Sequence, residues 1–165
     1  MGGMINQLID VLNGQADRYG ELLGLSREKK GVIIANDVEN LQKITNLENL
    51  VVSQTHKLEK KRIQLTKDIA LVLNKKESEM TLKVLTELME GQDEQAELIE
   101  AGKRIHSTLT ALSEANAQNA SLIDNALDYI EYSLNILRSA YDKEPVNYAT
   151  YSEELRNKKT GRGNN

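Results

Sequence analysis

Residues 38–73 read VENLQKITNLENLVVSQTHKLEKKRIQLTKDIALVL, and the spacing within this stretch decides the fold. Leu41, Ile44, Glu48, Val51, Thr55, Leu58, Arg62, Leu65, Ile69 and Val72 stand alternately three and four residues apart. That alternation holds one stripe of an α-helix against a partner, whereas a strand would need apolar residues at every second place. No glycine or proline interrupts it. The stretch predicts a helix of roughly 50 Å at a rise of 1.5 Å per residue.

Working outward, Asn36, Asp37, Val38 and Glu39 form a helix start, with Glu39 three residues after Asn36 as in a capping box. A tight reversal is predicted there. Before it runs a second seam, Ile5, Leu8, Leu12, Gln15, Tyr19, Leu22, Ser26, Lys29 and Ile33. Gly14, Gly20, Gly24 and Gly31 interrupt this run, each costing about 1 kcal/mol relative to alanine, and predict bends or fraying. After it, residues 74–78 are polar and predicted non-regular. Ser78 is then placed to cap a short helix carrying Leu82, Leu85, Leu88 and Met89, which Gly91 stops. A third seam follows through Leu98, Gly102, Ile105, Leu109, Leu112, Asn116, Asn119, Ile123, Ala126, Ile130, Ser133 and Leu137, thickened by Leu122 and Leu134.

Two long helices joined by a short link lie antiparallel, and a narrow seam leaves each only partly covered, so a third helix completes the packing. The expected fold is all-α, an elongated antiparallel three-helix bundle or coiled coil with a short extra helix. The expected boundaries are a helical body over 1–141, with helices at about 4–34, 37–73, 79–90 and 93–141, and a flexible tail over 142–165. Pro145 and the polar run 158–165 are too poor in apolar groups to fold alone.

Composition removes several functions. The 165 residues contain no Cys, so disulfides, thiolate catalysis and Cys-based zinc sites are absent, in keeping with a reducing compartment. A net charge of -4 made of 21 basic and 25 acidic groups argues for mixed signs on the surface and against a general nucleic-acid binder. No apolar run approaches the ~20 residues of a membrane span, and no positive segment followed by an apolar block marks a secretory signal, so a cytoplasmic protein is expected. A slender bundle has no room for the deep pocket that small-molecule enzymes use, and no catalytic residue, metal or cofactor is expected.

Candidate chemistry is correspondingly thin. His56 and His106 are the two groups that titrate near neutrality, yet Ser53 and Lys103 stand where a helical Glu-x-x-His metal box needs carboxylates. Gly102-Lys103 lacks an upstream glycine-rich loop, and Asn119-Ala120-Ser121 lies within a helix. The polar seam positions are more informative. A hairpin pivoting at residues 36 and 37 places Glu48 opposite residues 26–30 and Arg62 opposite residues 10–13. Glu48 then pairs with Lys29 or Lys30 and Arg62 with Asp10, unless both lie at the stripe's edge and reach water. Asn116 and Asn119 either select the register of the third helix, as buried amides do, or face an opening that receives a partner's helix. Tyrosines concentrate late, at positions 129, 132, 141, 148 and 151. Tyrosine combines large contact area with few rotors, which suits Tyr141, Tyr148 and Tyr151 to partner contact.

The segment EANAQNASLI at 114–123, followed by LDYIEYSLNIL at 127–137 and then Tyr141, resembles the end of the FlgN family of flagellar-export chaperones. The segment YGELL at 19–23, the Glu28-Lys29-Lys30 cluster, DVENLQKI at 37–44 with Glu48, and LEKKR at 58–62 are similar to that family's first helical hairpin. The resemblance spans residues 4–151; the basic stretch 158–165 is not part of it. It implies a bacterial cytoplasmic chaperone that binds hook-filament junction proteins, keeps them unassembled and delivers them to the membrane export gate. It further implies that the last helix and the segment after it contact cargo and gate, with a tyrosine near the helix end docking the gate. The partner-binding residues expected on these grounds are Asn116, Asn119, Leu122, Ile123, Ile130, Leu134, Leu137, Tyr141, Tyr148 and Tyr151. Two other classes fit the pattern: a homodimeric scaffolding coiled coil without cargo, and a helical bundle binding RNA through its basic tail.

Overall fold

A computed structural model describes the backbone of residues 2–142 and the side chains of residues 2–139. Four α-helices follow one another: α1 at Gly2–Ile34, α2 at Val38–Val72, α3 at Leu82–Leu88 and α4 at Asp93–Asp142, with a 3-10 turn at Glu77–Glu79. No strand occurs among the described residues, so the fold is all-α. The chain divides into two units after Asn119, within α4.

In the first unit α1 and α2 form an antiparallel hairpin. Lys29 Nζ lies 2.7 Å from Glu48 Oε1, and Gln15 Nε2 donates to Glu59 Oε2 at 2.8 Å, so the partner on α2 advances as that on α1 recedes. The reversal is a Schellman motif. Asn36 adopts φ +55°, the Asp37 N–H donates to the Val32 carbonyl and the Asn36 N–H to that of Ile33. Asn36 therefore ends α1, and the cap of α2 is Asp37, whose Oδ1 accepts from the Asn40 N–H at 3.2 Å. The cap expected at Asn36 is thus displaced by one residue, and the reciprocal bond of a capping box is not made because the Asp37 N–H serves Val32. An asparagine tolerates the left-handed conformation that a helix C-terminus needs, and that requirement outweighs its capping preference. Asn74 repeats the arrangement after α2, with φ +54° and Lys75 N–H donating to the Ala70 carbonyl. Thr81, not Ser78, caps α3: its hydroxyl accepts from the Val84 N–H, and the predicted non-regular segment ends in the 3-10 turn. Gly91, at φ +80°, lies between α3 and α4.

The predicted seams are the buried stripes. Ile5, Leu8, Leu12, Gln15, Leu22, Ser26 and Ile33 of α1 are buried, as are Ile44, Val51, Thr55, Leu65 and Ile69 of α2. The buried hydroxyl of Thr55 donates to the Val52 carbonyl of its own helix, so the seam tolerates it. Val72 departs from the expectation and is 59 % exposed, with Leu73 turned inward instead. A straight helix drifts about 20° per heptad against a strict 3.5-residue repeat, and after four heptads the stripe has moved on. The helix runs unbroken through its glycines, without the predicted fraying. Gly20, Gly24 and Gly31 face open space, and their cost of about 1 kcal/mol each is outweighed by buried Leu and Ile side chains worth about 1.5–3 kcal/mol each.

The core is densest where α3 joins the long helices. Ile5, Leu8, Ile9 and Leu12 of α1 meet Leu65, Ile69 and Ala70 of α2, Met80, Leu85 and Met89 around α3, and Leu98 and Ala101 of α4. α4 runs parallel to α1, since Arg104 reaches Asn13 and Asp17 while Asn119 reaches Ser26.

Candidate functional site

Three features of the structure bear on function: a polar lock between α1 and α4, a charged cluster on the hairpin, and a bare apolar ridge on the second half of α4.

Ser26 is fully buried on α1 and Asn119 nearly so on α4. The Asn119 Nδ2 donates to the Ser26 carbonyl at 2.7 Å and to its hydroxyl oxygen at 3.1 Å, while that hydroxyl donates to Asn116 Oδ1 at 2.9 Å. Both N–H groups of the Asn119 amide are thus engaged inside the first unit. These bonds agree with the reading of Asn119 as a buried amide that selects the register of α4, while Asn116, which accepts from Ser26, is itself exposed. A buried amide has few geometries that satisfy it, and any slide of α4 along α1 would strand it.

Lys29 meets Glu48 as an ion pair, one of the two partners expected for that carboxylate. Arg62 does not reach Asp10. It turns to Glu59 on its own helix, donating from Nε at 2.9 Å and from Nη2 at 2.7 Å. Residues three apart on a helix are neighbours, and this bidentate fit needs less ordering than a reach across the interface. The hydrogen bonds from Arg62 hold the Glu59 carboxyl below its ordinary range against the opposing effect of burial, with Gln15 assisting. Burial, and then the Glu59 charge, push the Tyr19 phenol up. This cluster joins α1 to α2 through the Gln15–Glu59 bond.

His56 and His106 are both exposed, and no group of three potential metal ligands occurs among the described residues. An open groove of about 740 Å³ lies between α3 and α4, floored by Leu82, Ile99 and Gly102. At Gly102 a Cβ would stand 2.6 Å from Leu82 Cδ2, so the glycine admits the close approach of the Leu82 side chain. No described helix is long and apolar enough to cross a membrane.

In the second unit the seam of α4 continues without cover. Ile123, Leu127, Ile130, Leu134 and Leu137 are between 37 % and 54 % exposed. Their spacing of four, three, four and three places them on one stripe about 21 Å long. Leu122 is half-buried beside them. Leu127, rather than the Ala126 and Ser133 of the predicted seam, completes the stripe of large residues. The alternating spacing of the large residues was the signal that would have found it. Tyr129, Tyr132 and Ile136 add further exposed apolar surface on the same helical segment. Tyr141 falls in the last turn of α4 with its side chain outside the described residues, and Tyr148 and Tyr151 lie outside them altogether. Scattered apolar residues are ordinary on a protein surface, but a contiguous heptad stripe is the form a helix takes when it packs on another helix.

The family model described as FlgN protein matches residues 1–155 of the chain. No curated protein and no solved structure matches it.

Proposed function

Because the chain belongs to the FlgN family, whose members are flagellar type III export chaperones, we propose that it binds hook-filament junction proteins in the cytoplasm, keeps them unassembled and delivers them to the export gate. The observation that carries this reading is the bare stripe Ile123, Leu127, Ile130, Leu134 and Leu137. A filament subunit's terminal segments are amphipathic helices that would otherwise find one another, and an apolar stripe at helical spacing covers such a segment reversibly. Binding of this kind needs no nucleotide, metal or catalytic group.

Leu122, Ile123, Ile130, Leu134 and Leu137, now joined by Leu127, form the cargo-contacting set in this proposal. Asn119, buried with its amide bonded to Ser26, is left out of it, while the exposed Asn116 stays with it at the near end of the stripe. Tyr141, Tyr148 and Tyr151 are assigned to the cargo or gate contact of the carboxy-terminal segment.

Co-purification with a junction protein tests the reading. Leu134→Asp and Leu137→Asp place charges on a stripe that is already solvent-accessible, so helicity should be unchanged while cargo is lost. Full cargo retention by both variants would move the binding site elsewhere. A stable dimer indifferent to junction protein, seen by light scattering, would favour the scaffolding coiled coil instead.

A further inference from the structure

The outer face of α2 carries a row that neither the core nor the stripe on α4 uses. Lys57, Lys60, Gln64, Lys67 and Leu71 stand three, four, three and four residues apart and are all exposed, so they form one line about 21 Å long. The seam that α2 buries, through Val51, Thr55, Leu65 and Ile69, lies on the other side of the helix. Lys61 adds a fourth cation at the margin of the row. The other two bases of α2 are engaged by carboxylates of their own helix, Lys43 by Glu39 and Arg62 by Glu59, whereas these four lysines have no ion pair among the described residues. Of the two acids within residues 57–71, Glu59 is held by Arg62 and Gln15, and Asp68 is half-buried and accepts from the Gln64 amide at 3.0 Å. The turn that follows is balanced, with Lys75 and Lys76 against Glu77 and Glu79. A chain of net charge -4 thus keeps a local excess of positive charge on one helix face. At the end of the row Leu71 is 81 % exposed, and Val72 beside it 59 %.

The chemistry of the row selects its ligand. It has no arginine and no aromatic side chain, the groups that anchor protein interfaces and grip phosphates or stacked bases. Lysine is a hydrated point charge on a flexible stem, suited to negative charge spread over a surface. A bare leucine among lysines enters the apolar boundary of a membrane while the ammonium groups stay at headgroup level. We propose that this row binds anionic phospholipid, laying α2 along a membrane surface with Leu71 at the acyl boundary. Each lysine close to an anionic leaflet strengthens binding roughly fivefold, so four give reversible attachment. The row lies in the first unit and shares no residue with the stripe on α4, so the proposal stands apart from the cargo reading.

The test is co-sedimentation of the full-length chain with vesicles of phosphatidylcholine alone or of phosphatidylcholine mixed with phosphatidylserine. Binding should require phosphatidylserine and should fall as salt screens the lysines. Lys60→Gln combined with Lys67→Gln should weaken it about 25-fold, and Leu71→Ser about five- to tenfold with the salt dependence kept. All three side chains are exposed, so circular dichroism should show an unchanged melting midpoint for these variants. Equal sedimentation with both kinds of vesicle, or parent-like binding by the lysine variant, would overturn the proposal. Parent-like binding by Leu71→Ser would overturn the insertion, and with it the choice of lipid over other polyanions. Complete loss on replacing Lys158, Lys159 and Arg162 with glutamine would assign the membrane contact to the chain's basic end and overturn it as well. A labelled poly-glutamate peptide or single-stranded oligonucleotide that binds through Lys60 and Lys67 while vesicles do not would make the partner an acidic protein or a nucleic acid, again against the proposal. None of these results alters the co-purification test of the stripe.

Discussion

Replacing Asn119 with alanine removes the two N–H contacts that join α4 to Ser26, at 2.7 Å and 3.1 Å, from a site where Asn119 is 4 % exposed and Ser26 fully buried. Each buried hydrogen bond contributes about 0.5–1.5 kcal/mol net, and truncation adds a small cavity, for a loss of about 2 kcal/mol. In a chain of this size 1 kcal/mol moves the melting midpoint by about 2–4 °C, so Asn119→Ala should lower it by roughly 4–8 °C. Thermal unfolding followed by circular dichroism measures the shift. The mechanism has a sharper signature in a double-mutant cycle with Ser26→Ala. Residues sharing one network couple, and the double variant should fall short of the sum of the single losses by at least about 0.5 kcal/mol. Asn119→Leu separates stability from register: the apolar side chain should restore much of the midpoint while freeing α4 to slide, visible as faster amide exchange in its first half. A midpoint within about 1 °C of the parent for Asn119→Ala, or strict additivity in the cycle, would refute the lock.

Gly20→Ala, Gly24→Ala and Gly31→Ala meet no atom within 4 Å, so each should stabilise by about 0.5–1 kcal/mol, additively, in a denaturation series. Gly102→Ala drives a Cβ to within 2.6 Å of Leu82 Cδ2 and should destabilise by about 1–3 kcal/mol, with amide protection lost first in α3; adding Leu82→Ala should relieve part of that loss. Asn36→Val, at φ +55°, should cost about 1–3 kcal/mol where Asn36→Gly costs little, as read from urea midpoints. Glu59 is held below its ordinary range, so the folded state binds its proton more weakly than the unfolded one. Its contribution is present at neutral pH and is lost as pH falls below the ordinary glutamate range and through the lowered value. Both side chains of the Arg62 pair are about a third or more exposed, so the contribution is about 1 kcal/mol at most. Glu59→Gln should flatten that part of the acid side of the stability profile.

The seams of α1 and α2 were legible because a stripe that must be buried leaves a periodic mark, and Ile5 through Ile33 and Ile44 through Ile69 carry it. The Lys29–Glu48 pair was legible for the same reason: a hairpin with a known pivot dictates which residues face one another. Places where two local rules compete were misread. Asn36 could cap one helix or end the other, Ser78 and Thr81 could each cap α3, and Arg62 had carboxylates both across the interface and on its own helix. Single-residue preferences rank such options only weakly, and the geometry of the closed hairpin chooses among them.

Sequence by itself determined that this chain is all-helical, that its longest helices pair through heptad seams, and that its ordered elements and residue types resemble those of one family of export chaperones. It could do so because helix periodicity is a local property written every three and four residues. Tertiary structure alone decided which part of a continuous seam is consumed inside the molecule and which is left bare. Leu98 and Ala101 are completely buried, whereas Ile130 and Leu137, on the same helix and in the same pattern, face solvent. Apolar residues look identical in sequence whether their partner is the chain's own neighbour or another protein, and only the positions of the other helices tell them apart.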